Sequence, residues 1–521
     1  MAHPKPHRTL THRLARTAAS LAALAALGNA AAGSLHEQAE RAAQRNFPEY
    51  FDALRIPNVA AQPADIRRNA EFFVRAFERR GLNVRLVQNP AGRPVVLAET
   101  QARPQLPTLL FYIHYDGQPV VPAEWSQGDP FAPVVRRRNA AGGWDDLTAE
   151  ALQARPLDPE LRVFARSASD DKAPILMLLT AFDLLATQSE APAFNVKVLL
   201  DGEEEMSSPS LAATVGSDAA AFAADALVIL DGPTHESHRP TVVFGNRGIT
   251  QATLTVFGPR APLHSGHYGN YAPNPALRLA ALLASMKDDD GRVTIEGYYA
   301  GVNITAADRL TFADVGDDEP ALRARIGIAR AERVGASYQE SLQYPSLNVR
   351  GIAAGGVGAL ATNTIPSQAV AELDLRTTPE TDGRHLFELV RTHIERAGFH
   401  LVTGAPTDAE RAKFDKLASF TLGPSTAAER MPMDSAIGRW ATQALRAPTA
   451  PRPGEDPVRI RMMGGTVPTD VLVAAVHAPF VLLPTVNADN NQHAANENLR
   501  IGDFVTGTET LYSLLSTPYR R

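Results

Sequence analysis

The residues best suited to chemistry in this chain are acids and histidines placed where short apolar runs end. Phe194 to Ser208 reads FNVKVLLDGEEEMSS. Val196 to Leu200 has the β-branched, apolar character of a buried strand, and Asp201, Glu203, Glu204 and Glu205 follow where it ends. Crowded carboxylates resist ionisation unless a cation compensates them. A solvated acidic turn explains such a run taken alone, so the other strand ends decide the matter.

Thr108 to Ile113 (TLLFYI) reads as a central strand and ends in His114-Tyr115-Asp116-Gly117. Residues two apart on a strand share a face, so Asp116 can orient His114 as a carboxylate orients a metal-bound imidazole. Val163 to Ser169 leads into Asp170-Asp171-Lys172 and then Ala173 to Ala186, a buried helix with Pro174 in its first turn. Asp170 and Asp171 thus stand at a helix N-terminus, where negative charge is favoured; capping accounts for one of them more easily than for both. Ala226 to Leu230 is a further strand, ending in Asp231-Gly232, and Phe480 to Leu483 is followed by Asn491-Gln492-His493. Acids and histidines gathered at the carboxyl ends of strands are best explained as a metal site. With no cysteine in the chain, the ligands must be His, Asp and Glu.

The elements that position these residues alternate strand and helix, which predicts an α/β fold: a mixed, mostly parallel sheet with helices on both faces. Beyond Phe244-Gly245-Asn246-Arg247-Gly248 the texture changes. Ile249 to Phe257 and Ala369 to Arg376 alternate as half-exposed strands, Asn274 to Lys287 and Asp382 to Gly398 read as helices, and Phe399 to Thr403 as a last strand. This predicts an inserted α+β domain, ferredoxin-like in outline, over 246–404. The polar stretch 405–432 reads as a return hinge, and 33–245 and 433–521 as the two parts of the main domain. The stretch 288–343 yields no functional reading, and Arg136 to Arg138 reads as a solvated loop.

Composition is that of an ordinary soluble protein: 521 residues, 44% apolar, 21% charged, net charge −6. No long basic run points to nucleic acid or to an anionic membrane. Residues 1–32 carry Lys5, Arg8, Arg13 and Arg16, then an Ala/Leu core, then Ala30-Ala31-Ala32. That order predicts a cleavable signal peptide and a periplasmic or secreted protein, with no membrane association after cleavage. An Arg-rich transit peptide is the competing reading. No twin arginine is present, which favours the general secretory route.

The motifs together resemble the co-catalytic zinc metallopeptidase family of carnosinase-type dipeptidases, carboxypeptidase G, aminoacylases and acetylornithine and succinyl-diaminopimelate deacylases. They are HYDGQPV at 114–120, WSQGDPF at 125–131, SASDDKAP at 167–174, DGEEEMSS at 201–208, LDG at 230–232, FGNRG at 244–248, LHSGHYGN at 263–270, PSLNVRGI at 345–352, TIPSQAVAELDLR at 364–376, GGTVPT at 464–469 and NQHAANE at 491–497.

The resemblance implies two zinc ions per subunit, with manganese or cobalt as substitutes. Asp170 would bridge them, His114 and Asp231 would complete the first, and Glu205 and His493 the second. Asp116 would orient His114, and Glu204 would be the general base. The insert would be a lid and dimerisation domain whose His264 reaches the partner's active site in a homodimer. Arg376, with Asn348, Gly465 and Thr466, would hold the substrate carboxylate. The implied reaction is cleavage of a small peptide, of dipeptidase or carboxypeptidase type; the alternative is deacylation of an N-acyl amino acid. A binding protein on a dead scaffold would have lost ligands or base, and this chain keeps all six. It departs from the family at Ala173, Pro262 and Met463, none of them a proposed ligand; Met463 adjoins the presumed carboxylate pocket.

Overall fold

The computed structural model describes residues 1, 34–446 and 456–521, so the signal-peptide expectation for 1–32 lies outside the described residues. The apolar runs form an eight-stranded sheet. Its order from edge to edge is Asn83–Val87, Val95–Glu99, Asn195–Asp201, Thr108–His114, Ala226–Ile229, Phe480–Leu482, Thr241–Val243 and Val458–Ile460. The three strands that end in candidate ligands, Asn195–Asp201, Thr108–His114 and Ala226–Ile229, are central, adjacent and parallel. Their carboxyl ends therefore open on one side of the sheet, where parallel sheets bind their ligands.

Alternation along these strands feeds two cores. Leu109, Phe111, Ile113, Val196, Val198 and Leu200 face a layer built from helices Leu35–Leu54, Pro63–Glu78, Lys172–Thr187, Ala436–Arg446 and Ile501–Ser516. Leu110, Tyr112 and Leu199 face the other way, against Leu211, Phe222 and Leu472. Each such side chain is fully or nearly fully buried, which stabilises the fold by roughly 1.5–3 kcal/mol apiece. Among the described residues no helix is long and apolar enough to cross a membrane.

A second, four-stranded sheet runs Asn498–Arg500, Arg162–Phe164, Val134–Arg138, Trp144–Leu147. It corrects the reading of Arg136–Arg138 as a loop. Arg136 is buried, its Nε donates to Asp146 at 2.7 Å, and its guanidinium lies over the Phe164 ring at 4.6 Å. A cross-strand carboxylate and an aromatic face make burial of that charge tolerable. This sheet also pairs the strand before Asp170 with the strand after His493.

The insert is an antiparallel sheet in which Ser346–Ala353, Gln368–Thr377, Gly248–Phe257 and Leu417–Thr426 lie side by side, with helices Pro275–Ala284 and Gly383–Arg396 packed on it. The two-residue strand His400–Leu401 adds in parallel at the far edge. Here the return hinge needs correction. Leu417–Thr426 pairs with Gly248–Phe257 over nearly its whole length, so the insert's sheet extends through Thr426. Its outward face is polar and it contains Gly423 and Pro424, which is why the stretch reads as a linker.

Candidate active site

His114 is the last residue of its strand and is 1% exposed. Its Nδ1 lies 3.2 Å from Asp116 Oδ1, and its Nε2 is 2.9 Å from Asp170 Oδ1. The other oxygen of Asp170 is 3.0 Å from Nε2 of His493. One carboxylate thus stands between two imidazoles from distant parts of the chain. Burial works against ionisation of Asp170, but hydrogen bonds from His114 and His493 outweigh it and hold the carboxyl below its ordinary range. His114 is pulled the same way: burial disfavours its cation, yet Asp116 and Asp170 raise it well above the usual imidazole value.

Two sets of donor atoms form around Asp170. In one, ligand atoms of His114, Asp170, Asp171 and Asp231 all lie within 4.8 Å of one another; in the other, those of Asp170, Glu205 and His493 do. His493 Nε2 is also 3.3 Å from Glu205 Oε2. Burial raises Asp231 to about 6 and Glu205 to about 8, the second also pushed by Asp170, while the hydrogen bond to Asp170 raises His493 to about 9. Carboxylates that burial holds against ionisation, facing neutral-capable imidazoles, are the donor set a divalent cation satisfies. With no thiolate among them, the set suits zinc, manganese or cobalt.

The acidic run after Asn195–Asp201 divides by environment. Asp201 turns inward and accepts from Tyr112 Oη at 3.0 Å and Ser208 Oγ at 2.6 Å. Glu203 is buried, accepting from Asn89 Nδ2 at 3.2 Å and the Ser210 amide at 3.0 Å. Glu204 and Glu205 lie on a one-turn 3₁₀ segment, Glu204–Met206, and both line the cavity. The turn replaces strand alternation, so adjacent residues reach the same space. Asp116 fixes it: its two oxygens accept from the amides of Glu204 at 3.2 Å and Glu205 at 3.0 Å. Glu204 belongs to neither donor set; burial, with Asp231 and Glu205 nearby, raises its carboxyl well above the ordinary value.

Of three further residues important to this geometry, the sequence singles out Asp171 without giving it a role, and Glu497 and Lys172 escape it. Asp171, whose Oδ2 accepts from the His114 amide at 3.3 Å, joins the first donor set instead of simply capping the helix. Glu497 is fully buried and accepts from the amides of Ser167, Ser169 and Asp170, each at 2.9 Å, and from Arg166 Nη1 at 2.7 Å. It therefore holds the loop that presents Asp170. Lys172 is also fully buried and donates through Nζ to the carbonyls of Ala53 and Ile56, both at 2.8 Å, at the C-terminal end of helix Leu35–Leu54.

A cavity of about 720 Å³ opens over the donors and is lined from both domains, with Arg376, Gly465, Thr466 and Met463 in its wall. Arg376 Nη1 donates to Thr466 Oγ1 at 2.8 Å, and that hydroxyl donates to the carbonyl of Arg247 at 2.7 Å. Asn348 is placed elsewhere. It is exposed on strand Ser346–Ala353, donates to Asp374 Oδ2 at 2.9 Å, and is absent from the cavity wall. Its register in the sheet sets it opposite Asp374, whose other oxygen lies 3.8 Å from Arg376 Nε, so within one chain it neighbours the cavity wall without lining it. His264 is also exposed and outside its own cavity; its Nδ1 accepts from the Gly266 amide at 3.0 Å and its ring faces His267 at 4.7 Å.

Residues 244–401 match the family model described as the peptidase dimerisation domain. The sequence is 25% identical over 435 residues to the Cys-Gly metallodipeptidase of Saccharomyces cerevisiae, covering 81% of each chain. It is 26% identical over 434 residues to the human Beta-Ala-His dipeptidase, covering 80% of this chain and 76% of that one. The fold superposes on an M20 family metallo-carboxypeptidase from Sulfolobus solfataricus with a TM-score of 0.72 and 25% identity, over 90% of this chain and 98% of that one. The chain is a homologue of the M20 metallopeptidases. In this M20 homologue the match to the dimerisation domain falls on the insert, and the donor cluster falls on the sheet that the insert interrupts.

Proposed function

We propose that this chain is an exported hydrolase that cleaves the amide bond of small peptides with two divalent ions, zinc or its substitutes manganese and cobalt. The observation that carries this reading is the position of Asp170, 2.9 Å from His114 and 3.0 Å from His493, and common to both donor sets. His114, Asp170 and Asp231 would hold one ion, and Asp170, Glu205 and His493 the other. When bound, the ions would polarise the scissile carbonyl and acidify a water between them.

The protein's own groups supply the rest. Glu204 lines the same cavity and is left out of both donor sets, so it is free to take the proton of the attacking water and pass it to the leaving amine. Asp116 keeps His114 in the orientation that presents Nε2 to the centre. Arg376, set by Thr466, offers a guanidinium fork to the substrate carboxylate.

His264 would act on the active site of a second copy, bound through the insert. That reading draws support from the free sheet edge Ser346–Ala353 and the exposed apolar residues on it and just after it: Ile352, Val357 and Leu360 are 60–83% exposed. Export rests on the basic-then-apolar order of residues 1–32.

The test is hydrolysis of a panel of dipeptides and N-acyl amino acids, with and without added zinc, by wild type and Glu204→Gln. The variant should keep its metal and lose about 10²–10⁴-fold in kcat. Full activity in the metal-loaded variant overturns the role of Glu204. Metal-dependent cleavage of acyl amino acids alone makes the chain a deacylase with the same centre.

A further inference from the structure

The stretch 305–343, which gave no reading as sequence, forms part of the cavity wall. It contains helices Ala306–Val315, Glu319–Ile326 and Tyr338–Ser341. Asp317, Asp318, Leu322, Arg325, Tyr338 and Gln339 from this stretch line the same cavity as Asp170, Glu204 and Arg376.

It is fastened to the catalytic domain at two rim loops. One is the loop after Asp231, where His235 Nε2 lies 3.3 Å from Asp317 Oδ1 and Glu236 pairs with Arg325. His235 Nδ1 is engaged by Ser237, 2.9 Å from its Oγ and 3.3 Å from its amide, and the ring presents Nε2 toward Asp317. The other is the loop carrying Gly465 and Thr466. There Arg461 donates to Gln343 Oε1 at 3.1 Å and lies 3.7 Å from Asp308. Leu342 also closes on Gly464, where an added Cβ would come within 3.2 Å of its Cδ2. The segment is thus tied to both of the catalytic-domain loops that share the cavity wall with it.

The charge of that wall is one-sided. Arg325 is matched by Glu236. Asp317 accepts from the neutral Gln339 at 3.3 Å, Asp318 caps helix Glu319–Ile326 through the Ala321 amide at 3.0 Å, and among the described residues neither has an arginine or lysine partner. Two carboxylates without such a partner, in a cavity that also offers Arg376, make a field that a zwitterionic substrate matches.

We infer that Asp317 and Asp318 select substrates with a free, protonated amino terminus and disfavour acylated ones. This rests on the peptide-hydrolase reading above. The test compares alanyl-alanine with N-acetyl-alanyl-alanine, which share a scissile bond, in metal-loaded wild type, Asp317→Asn/Asp318→Asn and Asp317→Glu. Asparagine still caps a helix, so the double variant keeps that hydrogen bond.

Wild type should prefer the free amine. The double variant should lose that preference by about 10-fold or more, through KM for the free dipeptide, and Asp317→Glu should retain it; the size is that of one close ion pair of about 1.4 kcal/mol. A fold defect lowers both substrates together and leaves the ratio unmoved. An unchanged ratio in the double variant, or a wild-type preference for the acetylated peptide, overturns the inference and leaves the hydrolase reading standing. Failure of metal-loaded wild type to cleave either substrate counts against the hydrolase reading itself, and the inference falls with it.

Discussion

The Asp116 carboxylate lies 3.2 Å from Nδ1 of His114 while its two oxygens take the amides of Glu204 and Glu205. One acid thus sets both a metal-facing imidazole and the turn that carries the proposed base. Asp116→Ala removes both supports at once. Divalent-metal affinity should fall by about 10–100-fold, the usual cost of losing a ligand's orienting partner. Titration with a competing chelator measures it, and unchanged affinity would show that His114 is held without Asp116.

Glu497 makes a second prediction, about stability. It is the acceptor for three amides of the Asp170 loop and for buried Arg166. Glu497→Ala leaves that guanidinium without its carboxylate and three amides without an acceptor. The cost should be about 3–5 kcal/mol, read as a drop in Tm of the metal-free protein, together with weakened metal binding. A Tm within a degree of wild type would mean that the loop finds other partners.

The pH dependence of metal uptake follows from the same cluster. Without metal, Glu205 titrates at about 8 and His493 at about 9, raised by burial and by the hydrogen bond to Asp170 respectively. Ligation needs the carboxylate ionised and the imidazole neutral. At pH 7 the metal-free site therefore holds protons that binding must expel, and affinity should rise with pH through the range where Glu205 and the two imidazoles lose theirs, levelling only above about 9. Calorimetry at pH 7 in buffers of different ionisation enthalpy should show net proton release, shrinking above pH 9. No release at pH 7 would remove Glu205 and His493 from the ligand set.

How much of this was legible in the sequence depends on how local the cause is. Strands such as Thr108–His114 carry their own signal, because a run buried on both faces must be apolar throughout, and the acids at its end stand out against it. Leu417–Thr426 carries none, since its exposed face is polar and its partner strand lies far away in sequence. Asn348 belongs to a recognisable motif, but its partner across the sheet, Asp374, depends on strand register, which a motif does not state. Glu497 is a single letter beside His493. Its work is done on amides of a loop that only folding brings near. The helices of 305–343 escape the reading although caps such as Thr305 with Asp308 mark them, and their attachment to His235 and Arg461 leaves no local trace.

His264 separates the single chain from the assembly. It lies outside its own cavity, and its ring is exposed beside His267. If it serves the other copy, a site needs Glu204 from one subunit and His264 from its partner. Glu204→Gln and His264→Ala homodimers should then each be nearly inactive. In a mixed dimer, the site with an intact Glu204 faces an intact His264, while the second site lacks both. Random exchange of equal amounts makes half the dimers mixed, with one working site in each, so activity should recover to about a quarter of wild type. Recovery is followed by dipeptide hydrolysis after mixing, with exchange verified by native mass spectrometry of differently tagged subunits. Mixed dimers that form and stay inactive would show that His264 does not act across the interface.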